Sequence, residues 1–251
     1  MVKSAILQRR YYMKIALVGY GKMGKAIEEI AVERGHEIVL RSTSKTPITP
    51  DQLKNIDAAI EFSIPDTVLN NVDLLLDAGI PTVVGTTGWN HALAAVSQKV
   101  ANKNGALLHA SNFSIGVNIF FKVNQYLAKI MNTQESYACD MTEIHHMQKL
   151  DAPSGTAITL AEQIIANHDA YNAHFCEENN EKAVENGINI TALREPEVPG
   201  THIINYTSEI DTITIKHEAH NRKGFALGAV VAAEWIHDKK GVFTMQDVLN
   251  F

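Results

Sequence analysis

The stretch KIALVGYGKMGKAIEEIAVERG, Lys14 to Gly35, limits the possible folds more than any other part of the chain. Ile15 to Val18 is a short apolar run that reads as a buried strand, and Met23, Ile27, Ile30 and Ala31 then recur at helical spacing. Between the two, Gly19, Gly21 and Gly24 form G-x-G-x-x-G. In a strand–turn–helix unit the first glycine permits the tight turn and the second lets a pyrophosphate approach the backbone. The third lets the helix pack close to the strand. The N–H groups at the helix start, from Lys22 and Met23 onward, then face the phosphates. A glycine turn without a ligand is the alternative for the motif alone; the strand before it and the helix after it favour a dinucleotide cradle.

The same rhythm continues through the first half. Short apolar runs at Ala58 to Ser63, Pro81 to Gly85 and Ala106 to Ser111 alternate with helical stretches after Pro65 and around Ala92 to Val100. That alternation predicts an α/β domain with a doubly wound parallel sheet of the Rossmann type. Ligands of such sheets lie beyond the carboxyl ends of the strands. Three segments end strands there: EFSIP with Phe62, GTTGW with Gly85, Thr86 and Thr87, and ASNFSIG with Ser111, Asn112 and Phe113. All are small, hydroxyl-bearing or glycine-rich, as the lining of a nicotinamide and ribose would be.

The end of the second strand bears on the choice of cofactor. An acid there holds a ribose 2′-hydroxyl, whereas arginine and hydroxyls suit a 2′-phosphate. HEIVLRSTSKT ends at Arg41, Ser42 and Thr43 with Lys45 close behind, and its only acid, Glu37, stands at the beginning. The expectation is NADPH as the preferred cofactor with NADH possible; the alternative is that Arg41 and Lys45 belong to a solvated loop.

From Ser136 the texture changes. SYACDMTEIHHM reads as a strand, and GTAITLAEQIIAN as a helix with Ile158, Ala161, Ile164 and Ile165 on one face. INITALREPEVPGTHIINYTS and EIDTITIKHEAHN read as an antiparallel set of strands, followed by a helix over 224–237. Within this half, EIHHMQKLDAPSGTA concentrates polar chemistry. The helix start at Ser154, Gly155 and Thr156 offers N–H groups and a hydroxyl to a small anion, and Lys149 just upstream can bring a cation to it. Together they suit a carboxylate. If the strand persists, His145 and His146 point to opposite sides, one towards substrate and one in support. Histidine can also deliver a proton near neutral pH. The combined expectation is reduction of a small carboxylated, unsaturated compound, with a proton from a histidine or from Lys149. For each piece the bland reading is a structural histidine, a solvated lysine and a plain helix lead-in. No metal is expected, because adjacent histidines on a strand cannot easily chelate one ion.

Composition removes several classes. A formal net charge of −6 argues against a nucleic-acid surface. No apolar run is long enough for a membrane span. Cys139 and Cys176, far apart and without a CxxC, make no disulfide framework, which favours a cytoplasmic protein. Residues 1–12 precede the strand as a possible start-site extension. The expected division is a dinucleotide-binding domain from residues 1–114 and 222–251, and a substrate-binding domain over 115–221.

EIHHMQKLDAPSGTA resembles the signature of the 4-hydroxy-tetrahydrodipicolinate reductase family, also called dihydrodipicolinate reductases, and matches it at every specified position. VGYGKMG, GTTGW, ASNFSIGVN and HEAHNRKGFALGA fall in the family's order. The resemblance implies a Rossmann-type domain, a second α+β domain whose open mixed sheet builds a homotetramer, and a final segment returning to the first domain. It implies NAD(P)H-dependent reduction of a small dicarboxylate, 4-hydroxy-tetrahydrodipicolinate, to tetrahydrodipicolinate in diaminopimelate and lysine biosynthesis. By the same resemblance His145 is the proton donor, Lys149 a substrate-binding residue and alternative donor, and His146, Gly155 and Thr156 bind carboxylates. Gly19, Gly24, Gly85 to Thr87 and Ser111 to Phe113 contact the cofactor. The chain departs from many members in lacking an acid after its second strand, and it is shortened beyond that strand. Two rivals are another two-domain Rossmann dehydrogenase and a nonenzymatic NAD(P)H sensor. The semialdehyde type of dehydrogenase needs a nucleophilic cysteine at a helix start, which neither Cys139 nor Cys176 supplies.

Overall fold

The structure is a computed structural model that describes residues 12–179, 181–221 and 223–251. All but the last residue of the expected start-site extension, 1–12, lies outside the described residues. The chain divides into two compact units, the first ending at Ile115 and resuming at Lys223, the second formed by Gly116–Arg222.

The first unit is a six-stranded sheet in the order β11-β5-β4-β3-β1-β2. Its strands are β1 (Lys14–Val18), β2 (Glu37–Ser42), β3 (Ala58–Glu61), β4 (Thr82–Val84), β5 (Ala106–His109) and β11 (Gly241–Phe243), and every neighbouring pair is parallel. The three-residue β11, absent from the sequence reading, extends the sheet beyond β5. Strand alternation sends successive side chains to opposite faces. Ile15, Leu17, Val83 and Leu108 therefore meet α1 (Lys22–Glu33) and α6 (Lys223–Ile236) on one side. Val84 and Leu107 meet Val72 of α2 (Pro65–Asp77) and Val100 of α3 (Leu93–Asn102) on the other. Leu17, Leu107 and Leu108 are at most 1% exposed, and burying each contributes roughly 1.5–3 kcal/mol. This apolar filling on both faces is why the strands read as near-continuous hydrophobic runs. A short helix, α7 (Met245–Leu249), closes the chain against the same core.

The second unit carries a five-stranded mixed sheet in the order β10-β9-β6-β8-β7. Its strands are β6 (Ala138–His145), β7 (Ala173–Phe175), β8 (Gly187–Arg194), β9 (Gly200–Thr207) and β10 (Thr212–Ala219). The long helix α4 (Ile115–Met131) and α5 (Gly155–Ile165) supply the covering layer, where Phe120, Met131, Leu160 and Ile164 pack on Met141, Ile190 and Ile204. The covered face of α5 is Ala157, Leu160, Ala161 and Ile164; Ile158 and Ile165 are only half-buried, so the helix is rotated from the expected face. β9 and β10 form the expected antiparallel pair. β8 does not join them: it runs parallel to β6 and β7, and β6 lies between β8 and β9. The connection from β8 to β9 must therefore step past the end of β6, where the Glu195 N–H donates to the His145 carbonyl at 2.8 Å. Gly200 arrives so close that a Cβ there would stand 3.0 Å from His145 Nε2.

Candidate active site

Two groups of side chains stand out, one in each unit. In the first unit the glycine turn crosses the ends of β1, β2 and β3. Gly19 has φ +97°, a left-handed conformation, and a Cβ on it would lie 2.1 Å from the Phe62 carbonyl oxygen, so only glycine fits. The Ser42 carbonyl at the end of β2 accepts from the N–H groups of Gly19 (3.2 Å) and Tyr20 (2.7 Å). Gly24 packs against the Gly19 carbonyl, while in front of Gly21 no atom lies within 4 Å of a Cβ position. α1 begins at the exposed Lys22 and the half-buried Met23 with no side-chain cap, the kind of helix start that suits an anion. These features fit a pyrophosphate.

A cleft of about 460 Å³ opens beside the turn, lined among others by Gly19, Tyr20, Gly21, Ser42 and Phe62. Gly85 leaves room for the Phe62 ring, which a Cβ there would strike at 2.1 Å, and Phe113 packs on the same ring at 5.6 Å. Thr86 turns inward: its hydroxyl donates to Glu61 Oε2 at 2.6 Å and accepts from the Ser63 N–H at 2.8 Å. Thr87 and Ser111 are exposed, and Asn112 Oδ1 accepts from the Ser114 N–H at 2.9 Å. Glu61 itself is fully buried, and burial pushes its carboxyl up despite the opposing hydrogen bonds from Ser63, Thr86 and Asn71. Arg41 is not among the residues lining the cleft; its guanidinium is paired with Glu28 of α1 and lies over the Tyr20 ring at 5.8 Å.

In the second unit the period of two along β6 places Cys139, Met141, Glu143 and His145 on the covered face. The first two belong to the apolar core, and Cys139, its thiol pushed up to about 12 by burial, is no nucleophile. The last two reach the polar end of the face, where α5 begins. Glu143 is fully buried. Its Oε1 accepts from the Ser154 N–H and from Arg194 Nη2, both at 3.1 Å, and its Oε2 lies 2.7 Å from His145 Nδ1. Burial alone would raise this carboxyl, but contact with His145 and Ser154 and the charge of Arg194 outweigh it and hold Glu143 at about 2. His202 of β9 packs edge-on to His145 at 5.2 Å, with its Nε2 3.2 Å from Ser154 Oγ. Burial, reinforced by the neighbouring His145, drives His202 down to about 3, so this ring is neutral.

β6 ends at His145, so His146 lies in the following turn, half-buried, and the opposite-face expectation does not apply to it. Lys149 follows, with its N–H donating to the His146 carbonyl at 3.0 Å. Its ammonium sits at 2.8 Å from both carboxylate oxygens of Asp151. Ser154 caps α5 by accepting from the Ala157 N–H at 3.2 Å, and Gly155 stands exposed at the first helical position, next to Thr156. Arg194 also donates to the Asp151 carbonyl at 2.7 Å, so one guanidinium ties the Lys149 loop to Glu143.

The sequence singled out His145, Lys149 and the α5 start, which the fold places near one another in the second unit, but nothing was assigned there to Glu143, Arg194 or His202. Glu143 had a usable signal, since it precedes His145 by two on the same strand face. Glu143, His145 and His202 bring donor atoms within 4.8 Å of one another. With Arg194 already on one oxygen of Glu143 and His145 on the other, the set reads as a carboxylate–histidine pair in preference to a metal site.

Comparison with known proteins decides the relationship. The family described as dihydrodipicolinate reductase matches in both its parts, the N-terminus over residues 13–113 and the C-terminus over residues 116–249. The chain belongs to the dihydrodipicolinate reductase family. It is 47% identical over 245 residues to a 4-hydroxy-tetrahydrodipicolinate reductase of Christiangramia forsetii, covering 95% of this chain and 98% of that one. A reductase of the same name from Rickettsia bellii is 37% identical and spans 90% of each. Among solved structures, a dipicolinate-bound dihydrodipicolinate reductase from Paenisporosarcina sp. TG-14 shares the fold with a TM-score of 0.77 at 23% identity. That likeness covers 93% of this chain and 98% of the other. Among the described residues, no helix is long and apolar enough to cross a membrane.

Proposed function

We propose that the protein reduces 4-hydroxy-tetrahydrodipicolinate to tetrahydrodipicolinate with NAD(P)H, in diaminopimelate and lysine biosynthesis. A hydride and a proton are consumed and the hydroxyl leaves as water. The observation that carries the site assignment is the buried Glu143 charge 2.7 Å from His145 Nδ1, within the segment that matches the family signature.

The dinucleotide, when bound, supplies the hydride. Gly19, Gly21, Lys22, Met23 and Gly24 hold its pyrophosphate, with the turn and the α1 start as the supporting features, and Phe62 and the Gly85–Thr87 and Ser111–Phe113 segments shape the nicotinamide end. NADPH is preferred and NADH is used as well; the hydroxyls of Ser42 and Thr43 and the Arg41 charge support the preference. His145 delivers the proton from Nε2, the ring nitrogen opposite Nδ1, which lies 2.7 Å from the Glu143 carboxylate. Lys149 is the alternative donor. A substrate carboxylate displaces Asp151 from Lys149 and is held by that ammonium, by His146 and by the helix start at Gly155 and Thr156. The working enzyme is a cytoplasmic homotetramer.

The test supplies substrate in situ from pyruvate and aspartate semialdehyde with the preceding synthase, and follows loss of NADPH or NADH absorbance. Rapid oxidation, faster with NADPH, is the expected result. No oxidation by a folded protein that still binds NADPH overturns the assignment.

A further inference from the structure

The end of β2 carries Arg41, Ser42 and Thr43 and no acid, yet an acid is present in space. Glu28, nearly two turns into α1, holds the Arg41 guanidinium through Nη2 and through Nε, which lies 3.1 and 3.2 Å from its two carboxylate oxygens. The Tyr20 hydroxyl donates to the same carboxylate, and Arg41 Nη1 donates to the Ile38 carbonyl at 3.2 Å. All three guanidinium nitrogens are thus engaged, by one carboxylate and one carbonyl, and the group lies over the Tyr20 ring, while the cleft wall is made by Tyr20, Gly21, Ser42, Thr43 and Ser44. The pair is not buried: the side chains of Arg41 and Glu28 are 42% and 21% exposed. A solvated ion pair of this kind is weak enough to be exchanged for another anion.

We propose that Glu28 is the residue that sets the choice between NADPH and NADH, by competing with the 2′-phosphate for Arg41. The inference rests on the dinucleotide reading of the cleft. Glu28 occupies the Nε/Nη2 edge of the guanidinium, so a phosphate must either displace that carboxylate or bind the remaining N–H groups against its negative charge. A ribose 2′-hydroxyl makes no such demand, so NADH binding does not require the pair to open. The acid that a Rossmann domain usually presents at the end of its second strand is thereby replaced by one on the neighbouring helix, which acts on the cation in place of the ribose. Glu28 thus narrows a preference that Arg41 and the hydroxyls would otherwise make wide.

Isothermal titration of NADPH and NADH into the full-length protein tests this without turnover. Glu28→Gln keeps the side chain's length and the Tyr20 contact, and should tighten NADPH by about tenfold with NADH changing by less than about twofold. The double variant Glu28→Gln/Arg41→Ala should lose that gain, which separates released Arg41 from a general loss of negative charge. Equal tightening of both cofactors, weaker NADPH binding, or a gain that survives loss of Arg41 overturns the role of Glu28. Failure of the unsubstituted protein to bind either cofactor overturns the dinucleotide reading itself, and the inference with it.

Discussion

Replacing Glu143 by glutamine removes one buried charge from the end of β6 while keeping the side chain's shape. Two consequences follow from the contacts. The amide oxygen can still accept from the Ser154 N–H and from Arg194, but its NH2 group then faces His145 Nδ1, where the carboxylate stood 2.7 Å away. An NH2 group can only donate, so Nδ1 must accept and the ring proton moves to Nε2. A second proton, needed for the cationic ring, would point at the amide. kcat should fall by about 10²–10⁴, the usual range for losing general acid catalysis. Stability responds separately. The carboxyl sits at about 2 against an ordinary 4.5, which corresponds to about 3 kcal/mol of folding stability at neutral pH. Because the folded-state value is depressed, that contribution is complete above the ordinary value and is lost as pH falls towards 2. By pH 3 about 2 kcal/mol of it is gone. Urea unfolding of both proteins at pH 6 and pH 3 isolates the effect, since every other acid titrates in both. The gap between them should close by that amount on acidification. A gap that stays constant would show that the Glu143 carboxyl is not held below its ordinary value, and a kcat within about threefold of the unsubstituted enzyme would remove Glu143 from the proton transfer.

Three further substitutions probe other parts of the structure. His145→Gln should lower kcat by about 10²–10⁴ in the coupled assay while titration calorimetry shows unchanged NADPH affinity; a normal kcat removes His145 from proton transfer. Gly19→Ala forces a side chain into a left-handed position 2.1 Å from the Phe62 carbonyl, and should lower the melting temperature and weaken both cofactors alike. The stability of Glu61→Gln relative to the unsubstituted protein should rise with pH, beside a pH-independent cost from an NH2 group that faces the Ser63, Asn71 or Thr86 donors. Burial holds the Glu61 carboxyl above its ordinary value, so the native state loses stability as pH rises through that value, and an amide does not. Parallel pH–stability curves for the two proteins would contradict that.

Much of this molecule is legible from local pattern. The G-x-G-x-x-G turn, the alternation of short apolar runs with helices and the Ser154 helix start each depend on residues a few positions apart, where steric rules and periodicity act directly. So does the covered face of β6, whose period of two aligns Glu143 with His145. What local pattern could not decide is which distant elements become neighbours. Alternation along β8 specifies a face but no partner, and only the folded sheet puts β6 between β8 and β9. That placement brings Arg194, His202 and Gly200 to His145, although they stand 49 to 57 positions away in the chain. The same holds at the cofactor cleft. Arg41 reads as a free cation in sequence, and only the packing of α1 beside β2 supplies Glu28, 13 residues earlier, to hold it. Charge pairing falls off steeply with distance and with exposure to solvent, so the strength of each of these ionic groups was settled by the tertiary structure.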